Sequence, residues 1–138
     1  MSLAESAHKV IDLAREVRAY YDEEMPKWHP DYPIVYEHES EPSPPPAEVE
    51  LRTYLTSLPE ETVYALATLM EFERWFFRDG DLVASYETLR ETFERPDQAA
   101  ERMISYPPLG DSLEDALTEL KARGIDVDRV FQETSPIS

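Results

Sequence analysis

The chain has 138 residues, no cysteine, 41% apolar content and a net charge of −17 from 30 acidic and 13 basic side chains. That length suits one domain with a real core, and the missing cysteine excludes disulfides and thiolate metal sites. The acidity repels phosphate backbones and anionic bilayers, so neither direct nucleic-acid binding nor membrane binding is expected. With no long apolar run and no secretory leader at the start, a cytoplasmic protein is expected.

The spacing predicts a first helix from about Leu3 to Tyr21, opened by Ser2 and Glu5 as a capping box. Leu3, Ala7, Val10, Ala14, Val17 and Tyr21 share one face, which Leu13 and Tyr20 widen. Asp22, Glu23 and Glu24 oppose the helix dipole, so fraying is expected before Pro26. From Met25 to Pro46 the chain is rich in proline and has no glycine. An extended, stiff, polyproline-like tract is expected there. Trp28, Tyr32, Ile34, Val35 and Tyr36 are too apolar for a free linker and should lie along the helical body, with a short β-like piece at Ile34–Tyr36. Glu37 to Pro46 should be exposed and mobile.

A second helix is predicted from Pro46 or Ala47 to Leu58, burying Leu51, Tyr54, Leu55 and Leu58. A tight corner leads into the most apolar element, a helix at about 59–79, for which Ser57 and Glu60 form a second capping box. It carries two stripes. One is Val63, Leu66, Ala67, Met70 and Phe77; the other is Ala65, Leu69, Phe72 and Phe76. A helix apolar on opposite sides must be packed on both, which makes this the central helix.

Gly80 stops it and Asp81 is the N-cap of a helix from Leu82 to Glu94, whose inner side is Val83, Tyr86, Leu89, Arg90 and Phe93. After Pro96, Asp97 should cap a short helix that turns Ala99, Ala100, Met103 and Ile104 inward. Tyr106-Pro107-Pro108 breaks the chain. The next helix starts between Leu109 and Ser112 and ends at Arg123, with Gly124 as a left-handed stop. Its stripe is Leu109, Leu113, Ala116, Leu117 and Leu120. Asp126 caps a last turn that packs Val127, Val130 and Phe131.

The segment from Glu50 to Leu120 resembles the bacterial domain-of-unknown-function family numbered 3775. The likeness rests on Glu50, Leu51, Tyr54, Leu55 and Leu58, on the Gly80-Asp81 corner, on Tyr86 and Leu89, and, within a closing segment from Ile104 to Leu117, on Pro107-Pro108-Leu109-Gly110-Asp111-Ser112-Leu113-Glu114. Only the last is a specific motif. The family's corner reads Gly-Arg-Gly-Asp, whereas this chain has Arg78-Asp79-Gly80-Asp81. The resemblance implies an all-helical domain with no assigned activity and no catalytic residues.

Few constellations carry chemistry. Asp79-Gly80-Asp81 fails as a calcium loop, because the bidentate position falls on Tyr86. His29, Asp31, Glu37, His38, Glu39 and Glu41 read as a solvated acidic loop. No serine stands in a nucleophile-elbow context, and three glycines cannot build a phosphate loop. Arg74 is the one charge within the stripe of the central helix, with Glu71 one turn before it. It is either paired with a carboxylate or an anchor for an anionic ligand. Gly110 and Asp111 read as a close helix approach and a cap, or as a binding corner.

The expectation is therefore an all-α, compact bundle of roughly five to seven helices around the 59–79 helix, in one domain, with the extended tract at about 25–46. The expected function is a non-catalytic protein-interaction or regulatory module. The proline-rich acidic tract and the aromatic set Trp28, Tyr32, Tyr36 and Trp75 would be its contact surfaces, and homodimerisation would cover surplus aromatics. The alternatives are a small-ligand binder or enzyme with a pocket near Arg74, and an acidic nucleic-acid mimic that binds a basic protein. Arg74, Asp81, Gly110 and Asp111 are the candidate ligand positions. No metal, cofactor or catalytic residue is implied.

Overall fold

The computed structural model describes residues 2–34, 36–38, 45–71 and 82–132, without the side chains of Trp28, Leu82, Val83, Val130 and Gln132. In chain order the helices are α1 (Leu3–Ala19), a π turn (Tyr20–Glu24), α2 (Met25–Trp28), α3 (Pro46–Ser57), α4 (Glu60–Met70), α5 (Leu82–Thr92), α6 (Pro96–Ile104), α7 (Leu109–Ala122) and α8 (Val127–Gln132). The described residues contain no strand, and the fold is an all-α bundle.

α4 is the hub. Every residue from Val63 to Met70 is buried, so both apolar stripes are covered over its described length. α1, α5, α6 and α7 pack around it. α1 is the second organising element and touches α3, α4, α7 and α8. The core joins Ala7, Val10 and Ile11 of α1 to Leu51 and Leu55, Leu66 and Leu69, Met103, and Leu109, Leu113 and Leu120. Burying one such leucine contributes about 1.5–3 kcal/mol.

Polar groups buried by this packing are satisfied locally. The Tyr64 hydroxyl donates to the Phe93 carbonyl at 2.8 Å, and the Thr68 hydroxyl to the Tyr64 carbonyl at 2.8 Å. Arg90, which interrupts the apolar side of α5, lies over the rings of Tyr64 (5.6 Å) and Tyr86 (5.8 Å), with the Glu60 carboxylate at 3.7 Å. The Leu3 amide donates to the Asp128 carboxylate, which ties α1 to α8.

Several local expectations are corrected. The first helix does not fray at Asp22; it runs through the π turn and α2 to Trp28. In a regular α-helix the ring of Pro26 would strike the Asp22 carbonyl, and the wider π turn relieves that clash. The extended tract therefore cannot begin at Met25. Past Trp28 the chain turns: the Tyr32 amide donates to the His29 carbonyl and the Ile34 amide to the Asp31 carbonyl. Ile34 and Tyr36 are in no strand; Val35 and residues 39–44 lie outside the described residues.

Neither predicted cap at the α3–α4 corner nor the one before α6 is made. Pro59 occupies the N-cap position of α4, while the Ser57 hydroxyl donates to the Tyr54 carbonyl and closes α3. Arg95 precedes α6 with no side-chain cap, and Asp97 pairs with Arg95 at 3.3 Å. In both places proline begins the helix or directly precedes it, and its fixed φ shifts the start away from the capping side chain. The Ser2 cap, the Gly124 stop (φ +73°) and the Asp126 cap are as expected.

Candidate functional site

A cleft of about 370 Å³ opens where α1, the π turn, α3 and the α6–α7 corner meet. Clefts of ~300–1,000 Å³ are the size that takes small ligands or single anchoring side chains. Its floor is apolar, from Ala14, Val17, Leu51, Ile104 and Leu109; Tyr106 and Pro107 form one wall. Tyr21, Tyr32, Arg18, Asp22, Glu48 and Ser105 form the rest.

The wall residues follow from local structure. Tyr21 is the last residue of the α1 face and falls in the π turn, half-buried. A half-buried phenol needs an acceptor. Glu48, in the first turn of α3, supplies it: the Tyr21 hydroxyl donates to Glu48 Oε1 at 3.0 Å. The turns after α2 fold Tyr32 back against Tyr21, with ring centroids 5.7 Å apart and planes tilted by 34°. Tyr32 remains 42% exposed, whereas Tyr21 is half-buried beside it.

Burial first, then the bond to Glu48 and the charge on it, push the Tyr21 hydroxyl well above the ordinary phenol range. It therefore stays protonated and works as a donor, not as a base. Arg18 and Asp22 neutralise one another at 3.2 Å. Glu48 lies 4.0 Å from Arg52, which is committed to a two-pronged bond with Glu101 at 2.6 and 3.2 Å. That bond also holds the Glu101 carboxyl below its ordinary pKa. The excess charge of the cleft is thus negative and centred on Glu48.

The predicted site residues separate. Tyr32 is in the cleft wall. Tyr36 lies on the same segment, 44% exposed, its ring stacked with His38 at 5.7 Å and 7°. Ile34 between them is 59% exposed. The backbone of Trp28 ends α2, but its side chain is outside the described part, as are Arg74, Trp75, Gly80 and Asp81. The expected pocket near Arg74 therefore falls outside the described residues. Glu71, its expected helical neighbour, reaches Arg102 of α6 at 3.3 Å.

Gly110 and Asp111 lie at the seam between α7 and α1, away from this cleft. Gly110 is buried against α1, and Asp111 faces Arg15. Only their neighbour Leu109 reaches the cleft. His29, read as part of a solvated loop, is buried, whereas Asp31, Glu37 and His38 are exposed. Among the described residues no three His, Cys, Asp or Glu side chains come together as metal ligands.

Sequence reasoning missed Tyr21 and Glu48 as a pair. Tyr21 was legible only as the end of an apolar face. The usable signal was a tyrosine at the rim of a core stripe, which requires a polar partner for its hydroxyl.

No protein-family model, no curated protein and no solved structure matches this chain. Among the described residues no helix is long and apolar enough to cross a membrane.

Proposed function

We propose that this protein is a non-catalytic interaction module, acting in the cytoplasm, that takes a basic segment of a partner protein. The observation that carries this reading is the tyrosine-walled cleft with Glu48 at its edge, continuous in sequence with exposed Tyr32, Ile34 and Tyr36, in a chain of net charge −17. Aromatic side chains anchor interfaces, and an acidic surface steers a basic partner toward them. The Tyr21 hydroxyl, with its raised pKa, suits a hydrogen-bond donor in a recognition wall.

The test is a titration with a fluorescent peptide of alternating arginine and proline, beside its glutamate counterpart, at low and physiological salt. The basic peptide should bind and keep part of its affinity in salt; the acidic one should not bind. Equal behaviour of the two peptides contradicts the reading. Nucleic-acid mimicry is the competing use of the acidic surface. It predicts binding through charge alone, which salt abolishes. Self-association through the exposed aromatics would appear instead as a mass that rises with protein concentration.

A further inference from the structure

We infer that the cleft wall formed by Tyr21, Tyr32 and Glu48 is a receptor for one arginine side chain of the basic partner segment. The inference rests on the interaction reading above and specifies its anchor.

The warrant is a pattern that the chain uses elsewhere on itself. Arg90 is held over two tyrosine rings, Tyr64 at 5.6 Å and Tyr86 at 5.8 Å, with one glutamate, Glu60, at 3.7 Å. Arg102 is held over Tyr106 at 5.4 Å with Glu71 at 3.3 Å. A flat guanidinium lies on aromatic faces and donates to a carboxylate at its edge, a combination an ammonium reproduces poorly. The cleft assembles the same parts. Tyr21 and Tyr32 present two rings in contact, and Glu48 stands at the edge of Tyr21, 3.0 Å from its hydroxyl.

Here, among the described residues, no arginine or lysine of the chain lies over either ring. Arg18 is at the rim, but its charge is directed to Asp22. Arg52, the other cation near Glu48, makes its close two-pronged bond to Glu101 and only a long 4.0 Å ion pair to Glu48. With centroids 5.7 Å apart the two rings leave no room for a guanidinium between them, so it lies on the exposed ring of Tyr32, at the edge of Tyr21. The apolar floor at Leu51 and Leu109 receives the aliphatic stem.

The test uses the intact protein and residue-sized probes: N-acetyl-arginine-N-methylamide, its citrulline analogue and its lysine analogue, titrated at constant ionic strength and followed by the ring resonances of Tyr21 and Tyr32. Citrulline keeps the shape of arginine without the charge. The arginine probe should shift both rings saturably, with citrulline and lysine weaker by about fivefold or more. Tyr32→Ala should weaken arginine binding by about fivefold and Tyr32→Phe should not, because the ring face and not the hydroxyl makes the contact. Glu48→Gln, which keeps an acceptor for Tyr21, should also weaken it. Equal binding of the three probes, or shifts scattered over the acidic surface, would overturn the assignment. If the arginine–proline peptide binds while the arginine probe leaves both rings unmoved, the arginine receptor falls and the interaction module stands. If neither binds, both fall.

Discussion

Arg15 of α1 lies directly over Gly110 of α7: a Cβ placed on Gly110 would sit 3.2 Å from Arg15 Cγ and 3.4 Å from the Ile11 carbonyl oxygen. The guanidinium then continues outward to Glu114, with which it forms a short bond, and to Asp111 at 3.6 Å. Leu109 and Leu113, on the same helix, are buried beneath. The most distinctive motif of the chain, Leu109-Gly110-Asp111-Ser112-Leu113-Glu114, is therefore accounted for by the docking of α7 on α1. Two leucines fill the core, glycine lets the backbones approach, and two carboxylates hold the arginine that crosses the seam.

That geometry separates substitutions at Gly110 by size. Gly110→Ala gains roughly 0.5–1 kcal/mol of helix propensity and asks a flexible arginine stem to yield slightly, so its net effect on stability should be within about 1 kcal/mol. Gly110→Val adds methyls against the Ile11 carbonyl, which cannot yield, and should cost about 2–3 kcal/mol. Urea denaturation midpoints check both. Equal, small effects would show that α1 and α7 are less closely apposed.

Tyr64 provides a second test of packing around α4. Its hydroxyl is the donor that holds the Phe93 carbonyl just beyond α5. Tyr64→Phe should cost about 1 kcal/mol, since the carbonyl loses its partner while the ring stays in place. Leu113→Ala, at a fully buried position, should cost about 2–5 kcal/mol in the same assay. A Tyr64→Phe protein as stable as wild type would place the hydroxyl in water.

At alkaline pH the buried phenols should lead unfolding. Burial raises the pKa of Tyr64 and Tyr86, as it does that of Tyr21. A raised folded pKa means that the unfolded chain ionises first. The stability these groups contribute is complete below the ordinary tyrosine pKa of 10.0 and is lost as pH rises through the folded values. Thermal midpoints should fall above about pH 10. Tyr86→Phe and Tyr64→Phe should each flatten the slope.

Charge repulsion gives the opposite handle. With a net −17 the folded chain repels itself, and salt screens that repulsion. The melting temperature at neutral pH should rise as sodium chloride is added from low concentration. The described ion pairs, such as Arg18–Asp22 and Arg123–Glu119, are largely exposed and lose little on screening. A melting temperature that falls with salt would mean that specific ion pairs outweigh the net charge.

The helical architecture was legible because its signals are periodic. The stripes of α1, α4 and α7 name most of their buried residues, although they miss Ile11, Tyr64 and Thr68. Of the residues they name, Val17, Tyr20, Tyr21 and Leu117 are only half-buried, and Phe72, Phe76 and Phe77 lie outside the described residues. Helix starts were less legible wherever proline competes with a capping side chain, as at Ser57 and Asp97. The tract after Asp22 was misjudged for a related reason. Acidic residues and Pro26 argue against an α-helix, but neither prevents a π turn, which no short-range pattern announces. The cleft was only half legible. Tyr32 stands out as an aromatic residue in a polar tract, whereas Glu48 is one carboxylate among 30 until the fold sets it beside Tyr21. Gly110 and Asp111 read in the sequence first as a close helix approach and a cap and only second as a binding corner, and the position of Arg15 over Gly110 shows the close approach.

The most direct measurement is the affinity of the arginine–proline peptide for wild-type protein and for the Tyr32→Ala/Glu48→Gln double variant at physiological ionic strength, with thermal midpoints taken alongside. The predicted result is binding by wild type and an affinity at least about tenfold lower for the double variant at unchanged net fold stability. Equal affinity of the two folded proteins would contradict a role for the cleft in partner recognition.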